Sequence, residues 1–563
     1  MVQQSPRPPA QAGPRNRFLA WIRAHGWLLA FAVLVLAMAA SRGYWAPDEP
    51  DFAQCVKEMR SRGDWLLPYL NGLPYSEKPI LFYWLMKVSA LALERLTVGL
   101  GFQHGIAAWA LRLPSLLAGI LFLGGLGSWV RRFLPQARLA VMILATTPLW
   151  IWQAQFIQID MLFAALLAWS WLSWLAGWLL LRGHAEGRPG ASDRWFQVSY
   201  LCLALAVLAK GPLALVLSAA LVLSFLALQR DLRALGRIRL GSGALWLAVI
   251  VLPWYFAAGL RGGPQYAWAL IVHQNLERAL KAWDHIQPWW RYGSYVAADF
   301  FPWSLALVPV AILLGRGPRR DPALRFAALA FLVPLLLLSL SQSKQGKYIL
   351  MAYPFLALLL ALGFDQLERQ PAGRIATLVK SLLAVGLGLP ALALAAVGFL
   401  GAGGHRLQAQ LHPFLGPLRL VAVLFALGAA GVLRNWDRPW QRAALALTTV
   451  FLVAGTWGLR LLDPQKDFRE WHQRTEPLLA GRQAFFWGDI RSGAMIYSDR
   501  LLPELHGHGQ LPALPAGTFL VTPEKRWRAG FEGLQPREMQ AFEPVCRQSQ
   551  GGDGLLLLRR RGS

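Results

Sequence analysis

Charge is what this chain has least of, and negative charge above all. Only 15% of its 563 residues are charged, and 30 acidic side chains stand against 56 lysines and arginines, a formal net charge of +26. A soluble nucleic-acid-binding protein gathers such an excess on one surface. Here the arginines fall in short breaks between apolar runs, so they read as topology signals and contacts to membrane lipid headgroups, with no nucleic acid as partner. Cysteine is scarce as well. Cys55, Cys202 and Cys546 cannot build a disulfide framework, and no Cys/His spacing fits a structural zinc site. Cys202 sits in an apolar run and reads as a packing residue; no pairing of Cys55 with Cys546 is assigned. Internal repeats are absent, and the only biased segment is the Pro-rich N-terminal dozen. The first apolar stretch lacks a small-residue cleavage site, which argues against a cleaved leader.

What the chain has is apolar length. It is 55% hydrophobic with 27 tryptophans, and its mean hydropathy of +0.38 comes with many runs near the twenty residues that a bilayer demands. These features define a polytopic α-helical membrane protein, with tryptophans expected in interfacial belts. Arg15, Arg17 and Arg23 precede the first apolar run, placing the segment 1–24 in the cytoplasm. The basic breaks at Arg131-Arg132, 182–194, 230–239, 316–320, 368–374 and 434–442 belong on the same side. Strict alternation fails unless 79–100, which carries Lys87, Glu94 and Arg95, lies at the interface as an amphipathic helix rather than spanning. The count is then about thirteen spanning helices within a membrane domain over 25–461. The outer face receives the loops 44–108 and 261–296 and the C-terminus.

From 462 to 563 charge becomes balanced and apolar runs shorten. The stretches Phe485-Phe486-Trp487, Ala494 to Tyr497, Thr518 to Thr522 and Leu555 to Leu558 read as short buried strands of a small outer α/β domain.

An ionisable group at membrane depth is costly unless paired or hydrated, and by default marks a function. Asp48-Glu49, after Pro47, reads either as a helix cap or as a catalytic carboxylate. Glu77-Lys78-Pro79 suits a helix start, but a lysine there is electrostatically misplaced unless an anion is bound, and a phosphate would supply it. Asp160 either caps its helix or supports the reaction centre. Lys344, Lys347 and Tyr348 lie on the outer side, where charge and a hydroxyl suit a lipid phosphate; Arg278 reads either as a second candidate phosphate ligand or as a surface arginine. His273 and His285 occupy the long outer loop, and with Glu77 a histidine would begin a sparse zinc or manganese site.

The run Pro47-Asp48-Glu49, Gly63-Asp64-Trp65, Asn71-Gly72-Leu73-Pro74-Tyr75 and Glu77-Lys78-Pro79 resembles the opening of the ArnT-like lipid A aminoarabinose transferases, relatives of the protein O-mannosyltransferases in the GT-C class. Arg112-Leu113-Pro114-Ser115, Asp160-Met161, Leu208 to Pro212, Phe301-Pro302-Trp303, Ser343-Lys344 and Tyr348-Ile349-Leu350 continue it. Where the family often has Arg-Tyr shortly after Asp-Glu, this chain has Asp51-Phe52. The resemblance implies a GT-C fold and an inverting sugar transfer from an undecaprenyl-phosphate carrier to an acceptor, lipid A phosphate, at the periplasmic face of the bacterial inner membrane. It implies that Lys78, Arg278 and Tyr348 hold the donor phosphate while Asp48 orients or deprotonates the acceptor. Transfer to serine or threonine is the nearest alternative. A lipid or sugar transporter would show inverted repeats around a midplane site, and none is visible.

Overall fold

A computed structural model describes residues 14–99, 106–277, 285–316, 321–371, 373–400, 411–434, 438–488, 492–505, 510–528, 539–548 and 554–562. Among these, eight helices are long and apolar enough to span a bilayer, from Leu113–Phe133 and Ile159–Leu181 to Pro439–Leu479. A ninth forms if Arg291–Asp299 and Trp303–Arg316, bent by 112°, count as one span. The remaining apolar helices are shorter, among them His25–Ala40 and Leu213–Leu228, so the count stands below the thirteen expected. The protein is a multi-pass helical membrane protein.

Its core departs from the expected pattern in one respect. Trp129, Trp150, Trp171, Trp303 and Trp440 are fully buried rather than held in belts. Burial leaves an indole N–H to be satisfied, and three find partners inside. Trp129 donates to the Leu172 carbonyl at 3.0 Å, Trp171 to Ser218 Oγ at 2.8 Å and Trp303 to Thr146 Oγ1 at 3.1 Å.

Helix α1 (Pro14–Ala40) leads into α2 (Asp48–Ser61), a two-residue hairpin of β1 (Tyr69–Leu70) and β2 (Leu73–Pro74), and α3 (Leu81–Ala92). Asn71 (φ 53°) and Gly72 (φ 85°) form the hairpin turn with both residues left-handed, the conformation that Asn-Gly adopts at least cost. Glu58 fixes that turn by accepting from the N–H groups of Asn71 and Gly72, both at 2.8 Å. With twelve residues, α3 is about 18 Å long. Its Lys87 is buried in protein, donating to the carbonyls of Met59 at 3.0 Å and Asp64 at 2.8 Å. Helix Leu252–Trp268 runs on past Arg261, where the sequence places the start of a loop, and kinks at Gly263 (φ 81°).

The C-terminal region forms a mixed five-stranded sheet of β3 (Ala484–Trp487), β4 (Glu504–Leu505), β5 (Phe519–Pro523), β6 (Phe542–Gln548) and β7 (Leu555–Arg560), in the order β4-β3-β5-β7-β6. Strand β3 pairs in parallel with β4 and β5, and β7 pairs antiparallel to β5 and β6. The α/β reading of the tail holds, and three of its four strands are found. The fourth, Ala494 to Tyr497, is a helical turn following Ser492–Ala494. Its Ile496 is buried against α2 instead of entering the sheet.

Candidate active site

The carboxylate of Glu49, in the first turn of α2, organises this region. It accepts from both nitrogens of a guanidinium twice over: Arg42 Nη1 at 2.7 Å and Nη2 at 3.3 Å, then Arg112 Nε at 2.9 Å and Nη2 at 2.6 Å. The backbone N–H groups of Trp45 (2.9 Å) and Ile157 (3.0 Å) complete its shell. Charge-assisted, bidentate contacts of this kind are the strong ones. Burial alone pushes the Glu49 carboxyl up, but Arg112 and Arg42 outweigh it and hold it down at about 2. Arg112 also donates to the carbonyls of Ala39 and Arg42. The end of α1, the start of α2 and the 155–158 segment are thus bound to one buried ion cluster.

This cluster presents the neighbouring residue, Asp48, to a cavity of about 670 Å³. Asp48 is the first residue of α2. The cap position is Pro47 and no side chain caps the helix, so Asp48 is not the cap. Its Oδ2 accepts from Lys347 Nζ at 3.0 Å and from Gln158 Nε2. A second pair lies in the same cavity, where Lys210 Nζ donates to Asp160 Oδ1 at 2.5 Å. The Lys210 ammonium also sits over the rings of Tyr348 (4.7 Å) and Phe163 (5.2 Å). Asp160 does not cap its helix either; Gln158 holds that position without a side-chain bond. The α2–hairpin side adds Asp51, Tyr75, Glu77 and Lys78 to the lining.

The rest of the wall is apolar. Leu213, Val216 and Leu217 come from one helix and Leu337, Leu338 and Leu340 from the end of Pro322–Leu340. Val216 is 57% exposed and Leu340 82%, so this slot opens on the surface that hydrocarbon covers in a bilayer. The arrangement combines a charged chamber of lysines and carboxylates with a greasy entrance between helices, the geometry that an amphiphile with a phosphate head requires.

Asp48, Glu77, Lys78, Asp160, Lys347 and Tyr348 therefore share one cavity, while Lys344 does not line it. Lys344 is buried outside the lining, donating to the carbonyls of Gln287 (3.1 Å) and Ser341. There it stitches the 285–287 segment to 341–344, beside the Ile286–Ser343 bridge. Arg278 lies outside the described residues. His273 is not in the lining, whereas His285 is. Among the described residues no three His, Cys, Asp or Glu side chains gather to hold a metal, so the zinc or manganese site begun by Glu77 and a histidine lacks a third such donor. Cys55, Cys202 and Cys546 are free.

The sequence reading misses Lys210 as a site residue, although it carries a signal, and names Lys347 only alongside Lys344. Lys210 ends a long apolar helix immediately before Gly211-Pro212, where a cation also suits the helix C-terminus. Lys347 stands in the same outer turn as Lys344, and charge spacing alone does not separate them.

A multi-pass helical membrane domain, a lysine–carboxylate cavity entered between helices and a C-terminal sheet domain together fit the GT-C glycosyltransferase class that the sequence resembles. A family model described as dolichyl-phosphate-mannose-protein mannosyltransferase matches residues 77–256. The undecaprenyl phosphate-alpha-4-amino-4-deoxy-L-arabinose arabinosyl transferase of Pseudomonas paraeruginosa strain PA7 is 32% identical over 437 residues, covering 76% of this chain and 74% of that protein. The protein of the same name from Pseudomonas aeruginosa strain PAO1 is 31% identical over the same share. The chain belongs to this family of arabinosyl transferases. A crystal structure of ArnT from Cupriavidus metallidurans bound to undecaprenyl phosphate superposes with a TM-score of 0.72 at 20% identity, over 95% of this chain and 98% of that one, and so shares the fold.

Proposed function

We propose that this protein transfers 4-amino-4-deoxy-L-arabinose from undecaprenyl phosphate to a phosphate of lipid A, at the periplasmic face of the inner membrane. The N-terminus is then cytoplasmic and the C-terminal domain periplasmic. The observation that carries this reading is the two-part cavity, in which Lys78, Lys210 and Lys347 stand at the inner end of an apolar slot. The carrier's lipid tail fits the slot and its phosphate meets the lysines.

In the transfer, an acceptor phosphate oxygen forms a bond to the anomeric carbon while the bond from that carbon to the carrier phosphate breaks. The bonding electrons leave with undecaprenyl phosphate, which gains negative charge. Lysines fixed beforehand around that oxygen stabilise the charge as it develops. Tyr348, beneath the Lys210 ammonium, keeps one of those cations oriented. An anionic acceptor needs no deprotonation, so Asp48, held by Lys347 and Gln158, acts mainly by position. Asp51 and Glu77 give the same cavity the negative charge that the cationic amine of the sugar attracts.

The test is mass spectrometry of lipid A and envelope proteins from cells lacking or overproducing the chain, with purified protein and the undecaprenyl-phosphate aminosugar alongside. An added aminoarabinose on lipid A that follows expression is the expected result. The mannosyltransferase description of the 77–256 match favours a second reading, transfer to serine or threonine, and the same measurement would then find the sugar on envelope proteins and not on lipid A.

A further inference from the structure

One segment of the C-terminal sheet domain touches the elements that carry the cavity wall. Lys57, midway along α2, donates to the carbonyls of Ile496 (3.3 Å) and Ser498 (2.5 Å) and pairs with Asp499 at 3.2 Å. Asn71, in the hairpin turn, makes a two-way bond to the backbone of Leu502: its Nδ2 donates to the carbonyl at 2.6 Å and its Oδ1 accepts from the N–H at 3.1 Å. The Ile496 side chain is 6% exposed and belongs to the apolar cluster behind α2, with Ala53, Val56 and Tyr83. A charged anchor, a backbone-like pair and a buried apolar plug thus come from seven consecutive residues, 496–502.

We infer that this segment is a strut of the active site: it fixes α2 and the hairpin, and through them Asp48, Glu77 and Lys78, which makes Lys57 and Asn71 positioning residues for the transfer. The inference rests on the function proposed above for the name of the reaction, but its geometry does not. Asp48 begins the helix that Lys57 anchors, and the hairpin held by Asn71 ends three residues before Glu77. Neither Lys57 nor Asn71 lines the cavity, so neither touches substrate. Displacing a reacting group by about 1 Å costs on the order of 10²-fold in rate; the Glu49 cluster and the Lys347 contact hold the start of α2, and the 496–502 segment holds its later turns and the hairpin turn.

The full-length protein in lipid nanodiscs provides the test, with Lys57→Ala, Lys57→Arg, Asn71→Gly and the native chain compared. Asn71→Gly keeps the left-handed backbone and removes only the side chain. In Lys57→Ala and Asn71→Gly, amide hydrogen exchange over 48–80 should quicken at least about 10-fold while β5 and β7 exchange as before, since local opening is independent of the sheet core. Turnover should fall about 10- to 100-fold, the KM for the undecaprenyl-phosphate donor should rise as Lys78 loosens, and Lys57→Arg should restore both exchange and turnover. Unchanged exchange in both variants overturns the strut whatever reaction the protein catalyses. Faster exchange with native turnover overturns the positioning role. A native chain that transfers no aminosugar refutes the proposed function instead, and the exchange measurement still reports on the strut.

Discussion

The ammonium of Lys347 lies 3.0 Å from Asp48 Oδ2, joining the first residue of α2 to the turn that opens the Gly346–Arg369 helix. Asp160 and Lys210 repeat the arrangement between two other helices. Each pair leaves a lysine beside the cavity with its charge balanced before any substrate arrives. An arriving phosphate then meets cations already held in place, and the carboxylates limit the cost of keeping those cations partly out of water.

Asp48→Asn separates a chemical role from a structural one. The substitution keeps size and hydrogen-bonding capacity but removes the charge facing Lys347. Because Asp48 does not cap α2 and its side chain is 35% exposed, the melting temperature should change by no more than about 4 °C. Turnover should fall about 10²-fold, the cost of an acceptor held about 1 Å out of place. A variant that turns over like the native protein but melts far lower would make Asp48 a structural residue, and the site would have to be rebuilt around Asp160.

The lysines divide into two groups that binding and stability measurements tell apart. Lys78→Ala, Lys210→Ala and Lys347→Ala should each weaken binding of undecaprenyl phosphate by about 10- to 100-fold, the worth of a charge-assisted hydrogen bond of roughly 1.5–3 kcal/mol. Lys344→Ala should leave binding unchanged and lower stability by about 1–3 kcal/mol, because two half-buried carbonyls lose their charged donor. Titration of a labelled carrier into purified variants, beside thermal melts, reads both. A Lys344→Ala protein that loses the carrier but keeps its melting temperature would reverse the division.

Acid should act through Glu49. Its folded carboxyl is held at about 2, below the ordinary glutamate value of 4.5, by Arg112 and Arg42 against the effect of burial. A depressed folded pKa means that the native state binds fewer protons, so this contribution is complete above about pH 4.5 and lost as pH falls toward 2. Glu49→Gln should remove that part of the acid slope and, with two buried guanidinium groups left uncompensated, cost about 3–5 kcal/mol at neutral pH. Melting curves of both proteins between pH 2 and 7 give the comparison. Parallel slopes would move the acid sensitivity elsewhere.

How far the sequence foretold this architecture depends on the kind of signal. Apolar run lengths gave the multi-pass fold, and the shift to shorter, alternating stretches after 462 gave the sheet domain, because both rest on local periodicity. Asp48, Glu77, Lys78 and Asp160 stood out because charge is rare in this chain and theirs flanks apolar runs, and Tyr348 because it adjoins two outer lysines. The partnerships were not legible. That Lys347 and not Lys344 turns to Asp48 depends on how the 285–287 segment pairs with 341–344, a contact between distant parts of the chain. The stretch 494–497 reads as a strand because alternation does not distinguish a side chain bound for its own sheet from one, like Ile496, bound for a neighbouring domain.

The last prediction concerns the sugar. Asp51 and Glu77 line the cavity that also holds Lys78, Lys210 and Lys347, so one chamber offers both signs of charge to one donor. A phosphate satisfies the lysines; a sugar bearing only hydroxyls gives the carboxylates no charged partner. The relatives' aminosugar carries an amine that is cationic at neutral pH, and placing it near Asp51 and Glu77 is electrostatically favourable. Glu77 is exposed, so each contact should be worth no more than about 1 kcal/mol, roughly 5-fold. Asp51→Asn and Glu77→Gln should therefore lower kcat/KM for the aminosugar donor by about 5-fold each, and leave unchanged whatever slow transfer a 4-hydroxy analogue of that donor shows. Measuring both donors on the same enzyme preparations cancels any difference in folded fraction. Equal losses for the two donors would mean that these carboxylates shape the cavity without reading the amine, and selectivity would have to be sought on the Asp48–Lys347 side.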